Sequence, residues 1–73
     1  MYKGFICIYK DEYFNTIYNR KMENENNAYI QVSNIGSIKE TEFGCSITLG
    51  HGYGFNVTLS VEEVMARIEK ANS

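Results

Sequence analysis

The sequence predicts an α+β fold: a small antiparallel β-sheet of roughly four to six strands, packed against one C-terminal amphipathic helix. Two observations predict it. Short runs rich in aromatic and β-branched residues recur along most of the chain, separated by polar and glycine-containing breaks. The C-terminal part instead places apolar residues at helical spacing behind a helix-capping motif. With 73 residues, the chain is expected to form a single domain.

The N-terminal part, residues 1–27, is predicted to be a hairpin followed by a loop. Residues 3–9 are largely apolar and β-prone, which is typical of a strand that is buried on both faces. After a polar break, residues 13–19 are again aromatic and β-branched, so we predict that 2–9 pairs with 13–19. A short helix over 13–19 is the alternative, because its large side chains are also spaced i,i+4. The polar residues 20–27 are expected to be loop.

Residues 28–59 are predicted to form a β-meander. Alternation of apolar and polar side chains at period two indicates half-buried strands, and the bends are marked by Asn34, Gly36 and the turn 42–44. The predicted strands cover 28–33, 35–41, 45–49 and 53–59.

Residues 60–72 are predicted to form a capped helix. Ser60 and Glu63 have the spacing of a capping box, in which each side chain bonds the backbone N–H of the other residue. Leu59 and Val64 occupy the hydrophobic-staple positions. The helix itself is expected to span 61–71. Its apolar stripe is expected to lie in the core, and it comprises Val61, Val64, Met65, Ile68 and Ala71.

The stretch LGHGYGF, residues 49–55, has three alternating glycines around the chain's only histidine, His51. A phosphate-binding glycine loop needs a helix directly after it, because the anion lies at the helix N-terminus. Since a strand is predicted to follow here, we interpret the stretch as a hairpin turn. His51 would then lie at the tip of a turn, without an evident nucleophile or orienting carboxylate, and could serve as a contact residue.

Composition excludes several classes of function. The net charge is −2 and both signs are interspersed, which gives neither a basic patch for nucleic acid nor an acidic tract. Cys7 and Cys45 lie far apart in apolar runs, so we expect free thiols in a reducing cytoplasm rather than a disulfide. No metal-ligand spacing or cofactor motif is evident, and no apolar run reaches the roughly 20 residues of a membrane span. We therefore expect a cytoplasmic protein that is not an enzyme.

From residue 28 onward, the order of elements resembles the flagellar protein FlbD family and similar short bacteriophage proteins. The resemblance covers residues 28–71. The residues that carry it are Ile30, Ile35, Ile38 and Glu40, then Ser46-Ile-Thr-Leu49, Gly52 and Val57, and finally Ser60-Val-Glu-Glu-Val64 with Ile68. It implies a small, non-enzymatic bacterial or phage protein of the cytoplasm, and it supplies no catalytic motif.

The alternation in the first strand predicts two faces, with Phe5, Cys7 and Tyr9 on one and Ile6 and Ile8 on the other. One helix cannot cover both faces of a sheet. The uncovered face would expose apolar and aromatic surface, which usually marks an interaction site. A homodimer through that face or through an edge strand is the simplest consequence.

The favoured functional hypothesis is a small protein-binding module, such as a phage-encoded inhibitor or adaptor that blocks the surface of a bacterial host protein. Tyrosine is abundant and is enriched at interfaces. The candidate contacts are Tyr13, Tyr18, Arg20, Glu40, Glu42, His51 and Tyr53. One alternative is a single-stranded nucleic-acid binder that stacks bases on sheet aromatics, which the negative net charge disfavours. The other is a small-ligand or nucleotide binder at a homodimer interface.

Overall fold

A computed structural model describes residues 4–17, 20–22 and 26–72, without the side chains of 15–17 and 20–22. The strands are β1 Phe5–Ile8, β2 Tyr13–Ile17, β3 Arg20–Met22, β4 Ala28–Gln31, β5 Ile35–Thr41, β6 Gly44–Leu49 and β7 Gly54–Val57. A 3₁₀ turn spans Val32–Asn34 and the helix α1 spans Val61–Ala71. Antiparallel sheets with a C-terminal helix confirm the predicted small α+β fold.

The described strands form two sheets, and every pairing is antiparallel. The larger sheet has five strands in the order β3-β2-β7-β6-β5. Strands β5, β6 and β7 form three strands of the meander predicted for residues 28–59. The prediction that its first strand, 28–33, belongs to the same meander is wrong, because β4 pairs with β1 in the smaller sheet. The smaller sheet consists of β1 and β4, in which Ile6 lies opposite Ile30 and Cys7 opposite Tyr29. The 3₁₀ turn carries the chain from the smaller sheet into the larger one.

The predicted N-terminal hairpin is wrong. β1 pairs with β4 rather than with residues 13–19, and β2 pairs with β3 and β7. The turn after β1 explains the difference. Its own closing bond runs from the Glu12 N–H to the Tyr9 carbonyl oxygen at 2.8 Å, but the Glu12 carbonyl oxygen accepts from the Thr58 N–H at 2.8 Å. The turn therefore delivers the chain to β7 instead of folding it back along β1.

Two open points of the same region are also resolved. Residues 13–19 were predicted as a strand, with a helix as the alternative, and the structure has a strand at Tyr13–Ile17. The segment predicted as loop, 20–27, contains the short strand β3 at Arg20–Met22.

The core lies between the inner face of the larger sheet, the β1–β4 sheet and α1. Its buried members are Ile6, Ile8, Ile30, Cys45, Ile47, Val57, Leu59 and Val64. Burial of each large aliphatic side chain contributes about 1.5–3 kcal/mol. Phe14 is also buried, but it alternates with the core-packed Tyr13 and so lies on the other face of the larger sheet, where its ring meets that of Phe43 edge-on.

The helix follows the prediction from cap to end. The Ser60 Oγ accepts from the Glu63 N–H at 3.1 Å, and the Ser60 N–H donates to the Glu63 carboxylate at 3.5 Å. Val64 is fully buried, and Val61, Ile68 and Ala71 pack against the core. The prediction that Met65 belongs to the core is wrong, since the residue is 51% exposed. It lies at the margin of the apolar stripe, because residues on a helix advance by 100° each.

The glycine-rich stretch is a hairpin turn between β6 and β7, as predicted. The Leu49 N–H donates to the Tyr53 carbonyl oxygen at 2.6 Å and the Gly52 N–H to the Leu49 carbonyl oxygen at 3.0 Å. Gly52 has a positive φ of 96°, which favours glycine. A strand follows the turn directly, so it lacks the helix N-terminus that a phosphate loop needs.

We predict that Gly44→Ala destabilises the fold strongly. A Cβ at Gly44, whose φ is +151°, would lie 2.5 Å from the Val57 carbonyl oxygen and 2.6 Å from that of Leu59. Because both neighbours are backbone atoms, β6 would have to move, at a cost of about 1–3 kcal/mol. Urea unfolding monitored by circular dichroism measures the loss. Gly50→Ala is the matched control, since its Cβ would meet only ordinary contacts, and equal losses in both variants would contradict the argument.

Candidate functional site

The outward face of the β1–β4 sheet is the candidate site, and we call it the outer face. Its residues are Phe5, Cys7, Tyr9, Tyr29 and Gln31. Ile6, Ile8 and Ile30 are buried, so the strand residues that alternate with them point away from the core. Tyr9 follows β1 directly and is also exposed. The register places Cys7 opposite Tyr29 and Phe5 opposite Gln31, which brings the two strands' outward side chains onto one surface.

Three aromatic side chains are exposed on this outer face. Phe5 is 37% exposed, and Tyr9 and Tyr29 are each 52% exposed. Tyr29 is a diagonal neighbour of Phe5 in the register, and such neighbours lie about 7–8 Å apart, within reach of aromatic rings. The predicted division of β1 into two faces is confirmed, whereas the expectation that both faces are buried is wrong. α1 packs against the inner side of β1 and along its edge, where it bonds to the backbone of Cys7 and Gly4.

One end of the outer face is bordered by an ion pair between Glu12 and Arg67. The two guanidinium nitrogens of Arg67 donate to the two Glu12 carboxylate oxygens, each at 2.7 Å. The same Arg67 Nη1 donates to the Cys7 carbonyl oxygen at 2.9 Å, and the Tyr9 N–H donates to Glu12 Oε1 at 2.9 Å. The Arg67 guanidinium carbon lies 5.7 Å from the centre of the Tyr9 ring. This arrangement joins α1 to the end of β1.

The ion pair is partly buried, with 19% of the Glu12 side chain and 29% of the Arg67 side chain exposed. The hydrogen bond from Arg67 is the main cause that lowers the pKa of the Glu12 carboxyl, although desolvation opposes it. The same bond raises the pKa of Arg67. Both groups are therefore charged at neutral pH, and the pair is suited to hold structure in place rather than to transfer protons.

Both cysteines are free, as predicted. Cys45 is buried, and its burial, followed by the negative charge of Glu63, raises the pKa of its thiol. A thiol of this kind is a poor nucleophile at neutral pH. Among the residues that the structure describes, no group of three or more His, Cys, Asp or Glu side chains could hold a metal ion.

His51 and Tyr53 form a second exposed feature at the β6–β7 turn. Their rings meet edge-on with centres 5.4 Å apart, and His51 Nδ1 accepts from the Tyr53 N–H at 3.4 Å. Tyr53 is 76% exposed. The turn thus presents two adjacent side chains to solvent, as the sequence predicts for a contact loop.

The structure does not bring the predicted contact residues together. Glu42 lies in the turn before β6, and His51 and Tyr53 lie in the turn after it. A strand of this length spans about 20 Å, so the two groups mark opposite ends of the sheet. Glu40 is exposed in β5 and pairs with Cys45, near the Glu42 end.

Tyr13 is partly buried and makes contacts within the fold. Its ring packs against the core and meets Phe55 edge-on at 5.8 Å, and its hydroxyl donates to the Asn26 carbonyl oxygen at 2.8 Å. Tyr18 and the side chain of Arg20 lie outside the described residues.

Sequence reasoning assigned no contact role to Tyr29 or Arg67. Both lie on elements that were predicted correctly, β4 and α1, but their significance depends on the pairing of β1 with β4, which the sequence did not indicate. The alternation of Phe5, Cys7 and Tyr9 was the available signal for the outer face.

Comparison of the chain with protein-family models, with curated proteins and with solved structures gives no match. The resemblance to the FlbD family therefore stays a prediction. No helix in the described part of the chain has the length and apolar character needed to cross a membrane.

We predict that Glu12→Gln lowers the free energy of unfolding by about 1–2 kcal/mol at pH 7, through loss of a charge-assisted bond in a partly buried pair. The substitution should also make the free energy of unfolding fall less steeply as the pH is lowered. The pKa of Glu12 is lower in the folded chain than the ordinary 4.5. The stability that the ionised Glu12 carboxylate contributes is therefore fully present above the ordinary pKa. It is lost as the pH falls through the lower pKa of the folded chain.

Urea unfolding between pH 7 and pH 2.5 tests both effects. Glu42→Gln removes an exposed carboxylate at a distant turn and serves as the control for the loss of one charge. A Glu12→Gln variant whose stability falls with acid as steeply as that of the wild type would show that the pair does not contribute.

Proposed function

We propose that this protein is a small protein-binding module whose outer face docks onto a partner protein. The observation that carries the proposal is the exposure of Phe5 and Tyr29 on two neighbouring strands and of Tyr9 directly after the first of them. Aromatic residues and arginine are enriched at the centres of protein interfaces. The outer face presents three such aromatic residues.

The area and the position of the exposed rings favour a binding interface over exposed aromatic residues without a function. Three aromatic rings exposed by about a third to a half account for a few hundred Å², as large as the main apolar patch of many monomers. The rings also lie on or next to paired strands, so little backbone entropy is lost when they are covered. A standard interface buries about 800 Å² on each partner. The partner would therefore also cover the polar surroundings, including Gln31.

Charge supports a protein partner over a nucleic acid. The net charge is −2, and phosphate binding depends on cations. Arg67, the cation in contact with Tyr9, is already paired with the Glu12 carboxylate. An aromatic face on a chain of negative net charge would stack bases but would attract the phosphate backbone only weakly.

For the identity of the partner, the proposal rests on the resemblance to the FlbD family and short phage proteins. It points to a bacterial cytoplasm and to a host or other bacterial protein, whose surface this chain would block as an inhibitor or adaptor. Apart from a host or other bacterial protein, a second copy of the chain could bind to the same face.

The test is capture from a bacterial lysate treated with nuclease, followed by binding measurements on the purified partner by interferometry. We expect Tyr29→Thr to weaken binding of the partner by about 2 kcal/mol, the size of an interface hot spot, since Tyr29 lies at the centre of the outer face. Threonine retains strand propensity, so the fold should persist.

Tyr53→Thr is the matched control, because it removes another exposed tyrosine, from the β6–β7 turn rather than from the outer face. Loss of binding in Tyr53→Thr but not in Tyr29→Thr would move the interface to the glycine turn and contradict the proposal. Binding that is abolished by nuclease or by moderate salt would identify a nucleic-acid binder instead. Native mass spectrometry of the protein alone would show whether a second copy occupies the face.

A further inference from the structure

We propose that Arg67 is a positioning residue of the outer face: through Glu12 and through direct contact, it fixes Tyr9 in the orientation in which the partner meets it. The inference rests on the proposed function and assigns a role to a helix residue that lies beside the docking surface. The observations that carry it are the bonds of the Tyr9 backbone and the position of its ring.

Tyr9 is the one exposed aromatic residue of the outer face that lies outside a strand. Phe5 belongs to β1 and Tyr29 to β4, so the ladder between these strands holds their backbones. The Tyr9 N–H instead donates to the carboxylate of Glu12, and its carbonyl oxygen accepts from the Glu12 N–H. The Glu12 side chain therefore holds the Tyr9 N–H, whereas the Glu12 backbone and the Asn27 side chain hold the peptide group that follows it.

That side chain is in turn held by Arg67. Two bonds of 2.7 Å fix the plane of the Glu12 carboxylate relative to the guanidinium. Arg67 is itself anchored to β1 by its bond to the Cys7 carbonyl oxygen. The chain of contacts thus runs from β1 through Arg67 and Glu12 to the Tyr9 N–H.

Arg67 also contacts the ring directly. A separation of 5.7 Å between its guanidinium carbon and the ring centre lies within the range of a cation–π contact. The contact occupies part of the ring and leaves Tyr9 52% exposed. Backbone and ring are therefore both held by the same residue of α1, while the rest of the ring stays accessible to a partner.

Ordering of Tyr9 before binding has a measurable effect on affinity. Immobilising a mobile side chain on association weakens binding by about 2- to 10-fold. A side chain that is already ordered in the free protein does not cause this loss. Arg67 would thus affect affinity without touching the partner.

The test uses the free protein and nuclear magnetic resonance of ¹³C-labelled tyrosine side chains. In Arg67→Gln, we expect the Tyr9 ring to become mobile, with its order parameter falling well below the wild-type value and its chemical shift moving toward that of an unstructured tyrosine. Tyr29 should keep its wild-type values in the same sample. Arg67→Lys, which keeps the charge but cannot bond both carboxylate oxygens, should give an intermediate result.

Lys70→Gln is the matched control, since it removes one positive charge from the exposed part of the same helix and should leave Tyr9 unchanged. If Arg67→Gln does not fold, Arg67→Lys and Glu12→Gln carry the same test. A Tyr9 ring that stays as ordered as in the wild type in a folded variant would overturn the inference. The proposed function would survive that result, because it is tested separately by the loss of binding in Tyr29→Thr.

Discussion

The arrangement of this small fold depends on Glu12. Its carbonyl oxygen accepts from the N–H and the hydroxyl of Thr58, and its carboxylate accepts from the Tyr9 N–H and from Arg67. One residue therefore joins the turn after β1, the connection between β7 and α1, and the helix itself. A chain of this length buries a limited core, so a partly buried charge-assisted network contributes a sizeable share of the interactions that fix its layers relative to one another.

The same network decides which surfaces stay uncovered. Helix α1 bonds to the backbone of the β1 segment at two places, from Arg67 to the Cys7 carbonyl oxygen and from the Gly4 N–H to the Ala71 carbonyl oxygen. These bonds satisfy backbone groups of an edge strand that would otherwise be a site for uncontrolled pairing. Because the helix lies along the edge and against the inner side of β1, it leaves the outer face exposed. Protection of the edge and exposure of the aromatic face are two consequences of one placement.

What the sequence predicts well is what local interactions decide. The capping box at Ser60, the turn at 42–44 and the glycine hairpin each depend on residues within a few positions of one another, and each is found as predicted. The pairing of β1 depends on distant residues. A hairpin of 2–9 with 13–19 would bury Ile6 and Ile8 as well as the actual pairing with β4 does, so hydrophobicity does not distinguish the two. The distinguishing bonds come from Thr58 and Arg67.

The candidate contacts show the same limit. Tyr13 and Tyr29 look equivalent in sequence, since both lie in short β-prone runs. Tyr13 packs against the core and its hydroxyl donates to the Asn26 carbonyl oxygen, whereas Tyr29 alternates with the buried Ile30 and points outward. Arg67 lies on the predicted helix, but the sequence does not indicate a partner for it. Its bonds to Glu12 and Cys7 give it a specific role that depends on the tertiary arrangement.

The two exposed aromatic sites differ in how firmly they are held, and this difference favours the outer face as the interface. His51 and Tyr53 contact each other on a turn whose backbone is held by the bonds from the Leu49 N–H to the Tyr53 carbonyl oxygen and from the Gly50 N–H to the Asn34 carbonyl oxygen. Phe5 and Tyr29 lie on paired strands, and Tyr9 is held by Glu12 and Arg67. Both sites therefore have an ordered backbone, and the difference lies in their side chains, since Tyr53 is more exposed than any of the three aromatic residues of the outer face. A side chain that already contacts its neighbours loses less freedom on binding, and this favours the outer face as the proposed interface.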